Sequence, residues 1–555
     1  MKKVLLCVAS AFLFLAALLM TACQARPTAS PLATPSPTLV ADPSPTIAPS
    51  VPTSTATPTA QPTYSPTAMP SSTATPMPSA TSTRPPTLAP TSTRPPTLAP
   101  TSTRPPTLAP TATPPLPVTV YETTISLPTY PFQQFLIPRH EERYNLPLTY
   151  LDRRAYDASN PEPSMVDYNA VVLENPYLRL TFMPTLGGRL YSAVVKSPGQ
   201  EVFYQNKVIK PSVYGPFFEP IEGMNVNYWL AVGGMEWAYP VQEHGYRWAE
   251  PWGYEVRQTD TGATITLQDS GPDRVGVTVE VTLSAHRASF MVKPMLTNNT
   301  DQPVPVQFWL NAVLALAPDS VSPKTQFIVP THSVTVHSRG AEGWAVPPEH
   351  GQLSWPLVEG RDLRYYEQWS NYLGFFAPYL DAPFMGAYNP ETDLGVARLF
   401  PFGSRSVAGN KLFAFGQQFP DRSYTDDDSQ YFEMWGGINE GFWPENDIII
   451  GPNETVGWSE QWWPLPSLGG LSWANQHVAI STHKTETGHM ITALFAQPTD
   501  GLMTVLSGET IISQEPFNAE VNQPMTWSVS ADPSQAIHLE LTDDTSELIL
   551  FYTIE

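Results

Sequence analysis

The chain has 555 residues, a formal net charge of −22 and two cysteines, Cys7 and Cys23. That length supports a large apolar core, and the acidic balance excludes the basic footprint that nucleic-acid binding needs. Beyond residue 23 there is no disulfide, no thiol nucleophile and no cysteine metal site.

The N-terminus reads as an export signal. Lys2 and Lys3 precede an apolar run from Val4 to Met20, which ends at Leu19-Met20-Thr21-Ala22-Cys23. Residues 1–23 resemble a bacterial lipoprotein signal, in which the cysteine becomes the lipidated first residue. An ordinary cleaved signal and an uncleaved anchor are the alternatives, and each takes the rest of the chain out of the cytoplasm. Lipidation of Cys23 predicts an extracytoplasmic protein anchored to the membrane at the cell surface. Residues 24–117 are mostly Pro, Thr, Ser and Ala, with TSTRPPTLAP repeated in tandem over Thr81–Pro90, Thr91–Pro100 and Thr101–Pro110. Such a composition cannot bury a core. Its prolines favour extended polyproline II at roughly 3 Å per residue, the geometry of a semi-rigid stalk.

From Val118 onward the pattern becomes short alternating segments cut by Gly, Pro, Asn and Asp, such as TGATITLQD, VGVTVEVTLSAH and TSELILFYTI. This predicts an all-β protein: a large antiparallel double sheet over residues 118–470, then a smaller β-rich unit over 471–555, for which a small separate sandwich is one reading. No cofactor motif and no metal-ligand spacing is present. Asp426-Asp427-Asp428 suits either a Ca²⁺ site or a solvated acidic loop.

The most informative stretch is Gly233–Trp252, GGMEWAYPVQEHGYRWAEPW. It carries Glu236, Glu243, Glu250, His244 and Arg247 among five aromatic rings, and its glycines and prolines prevent a single regular element. Rings that stack on pyranose faces, beside groups that bind hydroxyls, suit a sugar site. The same residues also suit a core of rings with a charged rim.

Several separated segments carry a family resemblance. Leu173–Ser212, with its LGGR turn and FYQN segment, looks like the start of an uncharacterised bacterial domain of the galactose-mutarotase-like superfamily, often found beside tetratricopeptide repeats. The likeness continues at GGMEWAYP, His244-Gly245, FWLNAVLAL (Phe308–Leu316), NYLGFFAPY (Asn371–Tyr379) and YTDDDSQYFEMW (Tyr424–Trp435). It implies a β-supersandwich with a concave carbohydrate-binding face. Tyr431–Leu465 is similar to the end of aldose mutarotases, which implies that Glu433 stands at the general base. His244 resembles the imidazole that polarises the ring oxygen. The stretch WLNAVL has Asn311 followed by Ala312, so the second mutarotase imidazole is absent.

The resemblance therefore implies Glu433, Glu236 and His244 as candidate catalytic groups. Arg247, Asn311, Trp237, Tyr239, Trp435 and Arg189 are the candidate substrate contacts. Two carboxylates facing across a cleft, Glu236 and Glu433, are also the machinery of glycoside hydrolysis. His332, His337 and His350 read as structural. The expected partner is a carbohydrate, and no cofactor or metal is called for. The two functions that fit are a carbohydrate-active enzyme that cleaves or isomerises a glycan, and a glycan-binding or adhesive surface lipoprotein without turnover.

Overall fold

The computed structural model describes residues 118–213, 226, 228–240, 243–340, 342–400, 409–416 and 422–555. The signal, the stalk and Cys23 lie outside the described residues.

The domain is built from antiparallel sheets, as the alternating text predicts. Among the described residues one sheet has thirteen strands and a second has nine. Their facing sides share one apolar core. The large sheet contributes Phe182, Leu190, Met235, Trp237, Leu310 and Met434; the other contributes Ile265, Val279, Val292, Met385 and Trp462. In the strand Val275–Ser284, Val277, Val279, Val281 and Leu283 are buried, while Thr278, Glu280 and Thr282 are only partly so. This strand therefore packs mainly through one face, whereas Phe384–Asn389, Leu394–Leu399 and Glu460–Pro466 of the same sheet are buried on both.

The middle of the large sheet differs. Every residue of Trp229–Ala238, Trp309–Leu314 and Phe432–Gly437 is buried. One face of these strands meets the inter-sheet core. The other carries a row of paired residues across four strands: Glu236 opposite Asn311, Asn311 opposite Trp435, and Trp435 opposite Lys411 of the strand Gly409–Ala414.

Behind this row a buried ion pair ties the two sheets together. Arg398, on the nine-stranded sheet, bonds Glu460 at 2.8 Å and donates to Asn410 Oδ1 of the large sheet at 2.7 Å. The indoles of Trp458 and Trp462 donate to the same glutamate at 3.0 and 2.7 Å. Two charges out of water need this degree of satisfaction. The network fixes Asn410, the neighbour of Lys411.

Residues from Trp473 onward form two four-stranded sheets around a core of their own that includes Ile480, Phe495, Val505, Trp527 and Leu539. A second cluster joins this unit to the nine-stranded sheet through Phe384, Trp463, Leu465 and Leu494.

Candidate functional site

Glu236, on the face of the large sheet turned away from the inter-sheet core, is engaged at both carboxylate oxygens. It is 1 % exposed. His244 Nδ1 lies 2.6 Å from its Oε1, Asn311 Nδ2 donates to Oε1 at 3.2 Å, and Trp229 Nε1 donates to Oε2 at 3.1 Å. The Arg189 guanidinium is 3.6 Å from Oε2. Burial alone would push this carboxyl up. The His244 charge and hydrogen bond, the Arg189 charge and the indole N–H outweigh burial and hold it below the usual carboxylate range. For His244, burial disfavours the imidazolium, but Glu236, with Glu433 and Glu243, outweighs burial and raises it. The imidazole also stacks on Trp229 with centroids 4.2 Å apart.

The local sequence explains how His244 returns to a residue eight positions earlier. After Ala238 the chain turns at Pro240, and Tyr246 N–H donates back to Tyr239 O at 3.0 Å. Gly245, at φ +64°, lies against the Tyr239 backbone, where a Cβ would fall 2.2 Å from the Tyr239 nitrogen. Only glycine fits there without displacing the loop.

Beside this network lies a second ionisable group. Glu433 is 4 % exposed and accepts Trp435 Nε1 at Oε2, 2.9 Å away. Lys411 is 3 % exposed, and its Nζ sits 4.3 Å from the Trp435 ring and 4.7 Å from Phe442. Burial lowers its ammonium pKa, an effect that Glu433 and Glu243 partly offset. Glu243 Oε1 is 3.5 Å from His337 Nε2. Burial raises the Glu243 carboxyl, against the pull of His244 and Lys411 and with the help of Glu433 and Glu349. His337 is driven well down by burial, then by the charges of Lys411 and His350. Both shifts favour an uncharged contact between the two. At the rim His350 stacks on Trp443 at 3.9 Å, and the Trp443 indole donates to Glu349 at 2.8 Å.

The candidates from the sequence divide into those at this cluster and those elsewhere. Glu433, His244, Glu236, Asn311 and Trp435 meet on this face of the large sheet. Glu236 is closed in by its four partners, so it holds His244 and has no free edge for a substrate. Asn311 is wholly buried and serves Glu236. Arg189 is not a substrate contact: it is 1 % exposed and donates to the carbonyls of Leu186, Gly233 and Trp248. Trp237 and Tyr239 lie in the inter-sheet core, with Trp237 donating to Gly188 O and Tyr239 to Val275 O. Strand alternation puts Trp237 on the face opposite Glu236. Arg247 pairs with Asp269 through Nε at 3.0 Å and also donates to Pro147 O, so it is a structural cation. Each member of the acidic triplet has a cation: Lys210 on Asp426, Lys207 on Asp427 and Arg422 on Asp428.

Sequence reasoning missed Lys411 and set aside His337 and His350. The available signal was a lone lysine in GNKLFAFG, an otherwise apolar strand.

The fold and this cluster define an all-β supersandwich with a buried ionisable site on one sheet face. Residues 149–465 match the family described as a domain of unknown function, DUF5107, and the chain belongs to that family. Among solved structures it is similar to a TPR-domain containing protein from Parabacteroides distasonis, at 21 % identity and a TM-score of 0.50, over 63 % of this chain and 56 % of that one. The chain thus spans little more than half the length of that protein, and the likeness is one of fold. It is also similar to galactose mutarotase-like proteins. One is from Clostridium acetobutylicum (9 % identity, TM-score 0.37, 54 % of this chain and 95 % of that one). Another is from Lactobacillus casei (11 %, 0.35, 53 % and 99 %).

Proposed function

We propose that the face of the large sheet around Glu433 binds a glycan and that Glu433 takes a proton from a sugar hydroxyl. One observation carries this reading. A carboxylate on a buried strand, oriented by the Trp435 indole, stands beside Lys411 and the His244–Glu236 pair, with rings on several sides. A carboxylate fixed on a strand suits a general base. Indole and phenyl faces suit the apolar faces of a sugar. His244, held by Glu236, is a hydrogen-bond donor for a ring or glycosidic oxygen.

The second reading is a binding protein without turnover. It is favoured by Glu236 being wholly engaged and by Ala312 standing where the resemblance calls for an imidazole. In either case the signal-like N-terminus and the Pro/Thr-rich segment support a domain held outside the cytoplasm by a lipid on Cys23. Incorporation of labelled palmitate that disappears in Cys23→Ser tests the anchor.

The test of function uses the full chain as wild type and as Glu433→Gln. Both are incubated with pooled oligo- and polysaccharides, with products followed by mass spectrometry, and with freshly dissolved α-anomers, followed by polarimetry. Turnover by the wild type that falls at least about 100-fold in the variant is the expected result. Equal rates would remove Glu433 from the chemistry. Binding by both proteins with no turnover by either would establish the second reading.

A further inference from the structure

Lys411 is the one cation of this cluster that, among the described residues, receives no acceptor. No hydrogen bond or ion pair reaches its Nζ there, although the side chain is 3 % exposed. Its surroundings are rings: Trp435 at 4.3 Å, Phe442 at 4.7 Å and Phe413 at 5.6 Å. Ring faces attract a cation but accept none of its three N–H donors as an oxygen would. The neighbouring charges are already committed. Arg189 has three carbonyls and Glu236, and His244 has Glu236; Glu433 accepts the Trp435 indole and Glu243 faces His337, so these two acids offset the Lys411 charge only in part and neither bonds its Nζ. An ammonium on a largely buried side chain, set among rings and without an oxygen partner in the protein, is costly, and that cost is relieved by a ligand that brings both acceptor atoms and a negative charge.

We propose that Lys411 anchors a carboxylate on the ligand, so that the site takes glycans containing hexuronic acids in preference to neutral ones. This rests on the glycan reading above. A neutral hydroxyl would satisfy one donor and add nothing to the partial charge offset that Glu433 and Glu243 supply. A carboxylate does both, at the end of the same cross-strand row that holds Trp435, Asn311 and Glu236.

The test is a titration of the full chain, by tryptophan fluorescence and calorimetry, with sodium D-galacturonate, sodium D-glucuronate and their short oligomers, against D-galactose, D-glucose and their neutral oligomers. The wild type should bind the acidic probes roughly 10- to 100-fold more tightly, the worth of one charge-assisted contact. Lys411→Met should bring the two classes together, and Lys411→Arg should retain the preference. Equal binding of both classes by the wild type, or binding of neutral probes alone, overturns the anchor and leaves the glycan reading standing. A preference that survives in Lys411→Met also overturns the anchor. Binding of neither class overturns both readings. A ligand-free measurement checks the premise. Lys411→Met should melt at or above the wild-type midpoint, because it removes a charge that is largely buried, only partly offset and without a hydrogen-bond acceptor. A clearly lower midpoint would mean that the protein itself holds the ammonium, and the inference would fall.

Discussion

The Trp229 indole Nε1 donates to Glu236 Oε2 at 3.1 Å, although the two residues stand seven apart on one strand. In a regular strand an odd separation puts side chains on opposite faces. Gly233 and Gly234, at φ +93° and +76°, break the alternation between them. The kink lets one strand deliver both the carboxylate and the ring on which His244 stacks. A Cβ on Gly234 would lie 2.6 Å from Leu190 O. Gly234→Ala is therefore expected to cost about 1–3 kcal/mol and to weaken the Trp229–Glu236 bond. Urea unfolding gives the cost. A perturbed near-ultraviolet circular dichroism of the tryptophans reports the displaced ring, and an unchanged spectrum with unchanged stability would refute the account.

Arg189 is the guanidinium behind the site, bonded to three carbonyls as well as paired with Glu236. Arg189→Met leaves a buried carboxylate short of a charge and three carbonyls without their donor. The expected loss is about 3–5 kcal/mol by denaturant unfolding. A loss under about 1 kcal/mol, the worth of an exposed pair, would show that Glu236 does not depend on it.

The His244–Glu236 pair has a definite pH window. Glu236 is held below its ordinary 4.5, so its share of stability is present above that pH and is lost as pH falls through the lower folded value. His244 is held above its ordinary 6.5, so its share is full below 6.5 and is lost as pH rises through the folded value. The pair contributes most between pH 4.5 and 6.5. The stability gap between wild type and His244→Gln should be widest in that window and narrow toward alkaline pH. A gap that grows with pH would reverse the assignment.

The carboxylates of Asp426, Asp427 and Asp428 are each paired with a lysine or arginine, and Asp426 also accepts the Tyr130 hydroxyl. These oxygens serve side-chain cations. Chelation with EDTA should leave the melting midpoint unchanged. A fall on chelation that added Ca²⁺ restores would show a metal bound there.

Alternation and turn residues alone determined the all-β class of this protein, because a period of two with Gly, Pro and Asn punctuation leaves few other folds for Val275–Ser284 or Leu548–Ile554. The clustered acids, His244 and aromatic rings of Gly233–Trp252 marked the stretch that supplies Glu236, Glu243 and His244 to the cluster. Which side chains share a face was decided only by tertiary structure. Trp237 and Tyr239 went to the core and Glu236 to the site through register and the kink at Gly233-Gly234. Arg247 was claimed by Asp269, which is 22 residues away. Lys411 and His337 became site residues because distant strands set them beside Trp435, Phe442 and Glu243. A sequence carries the local period of each strand. The burial that isolates a charge, and the partner that satisfies it, arise only when strands far apart in the chain are paired.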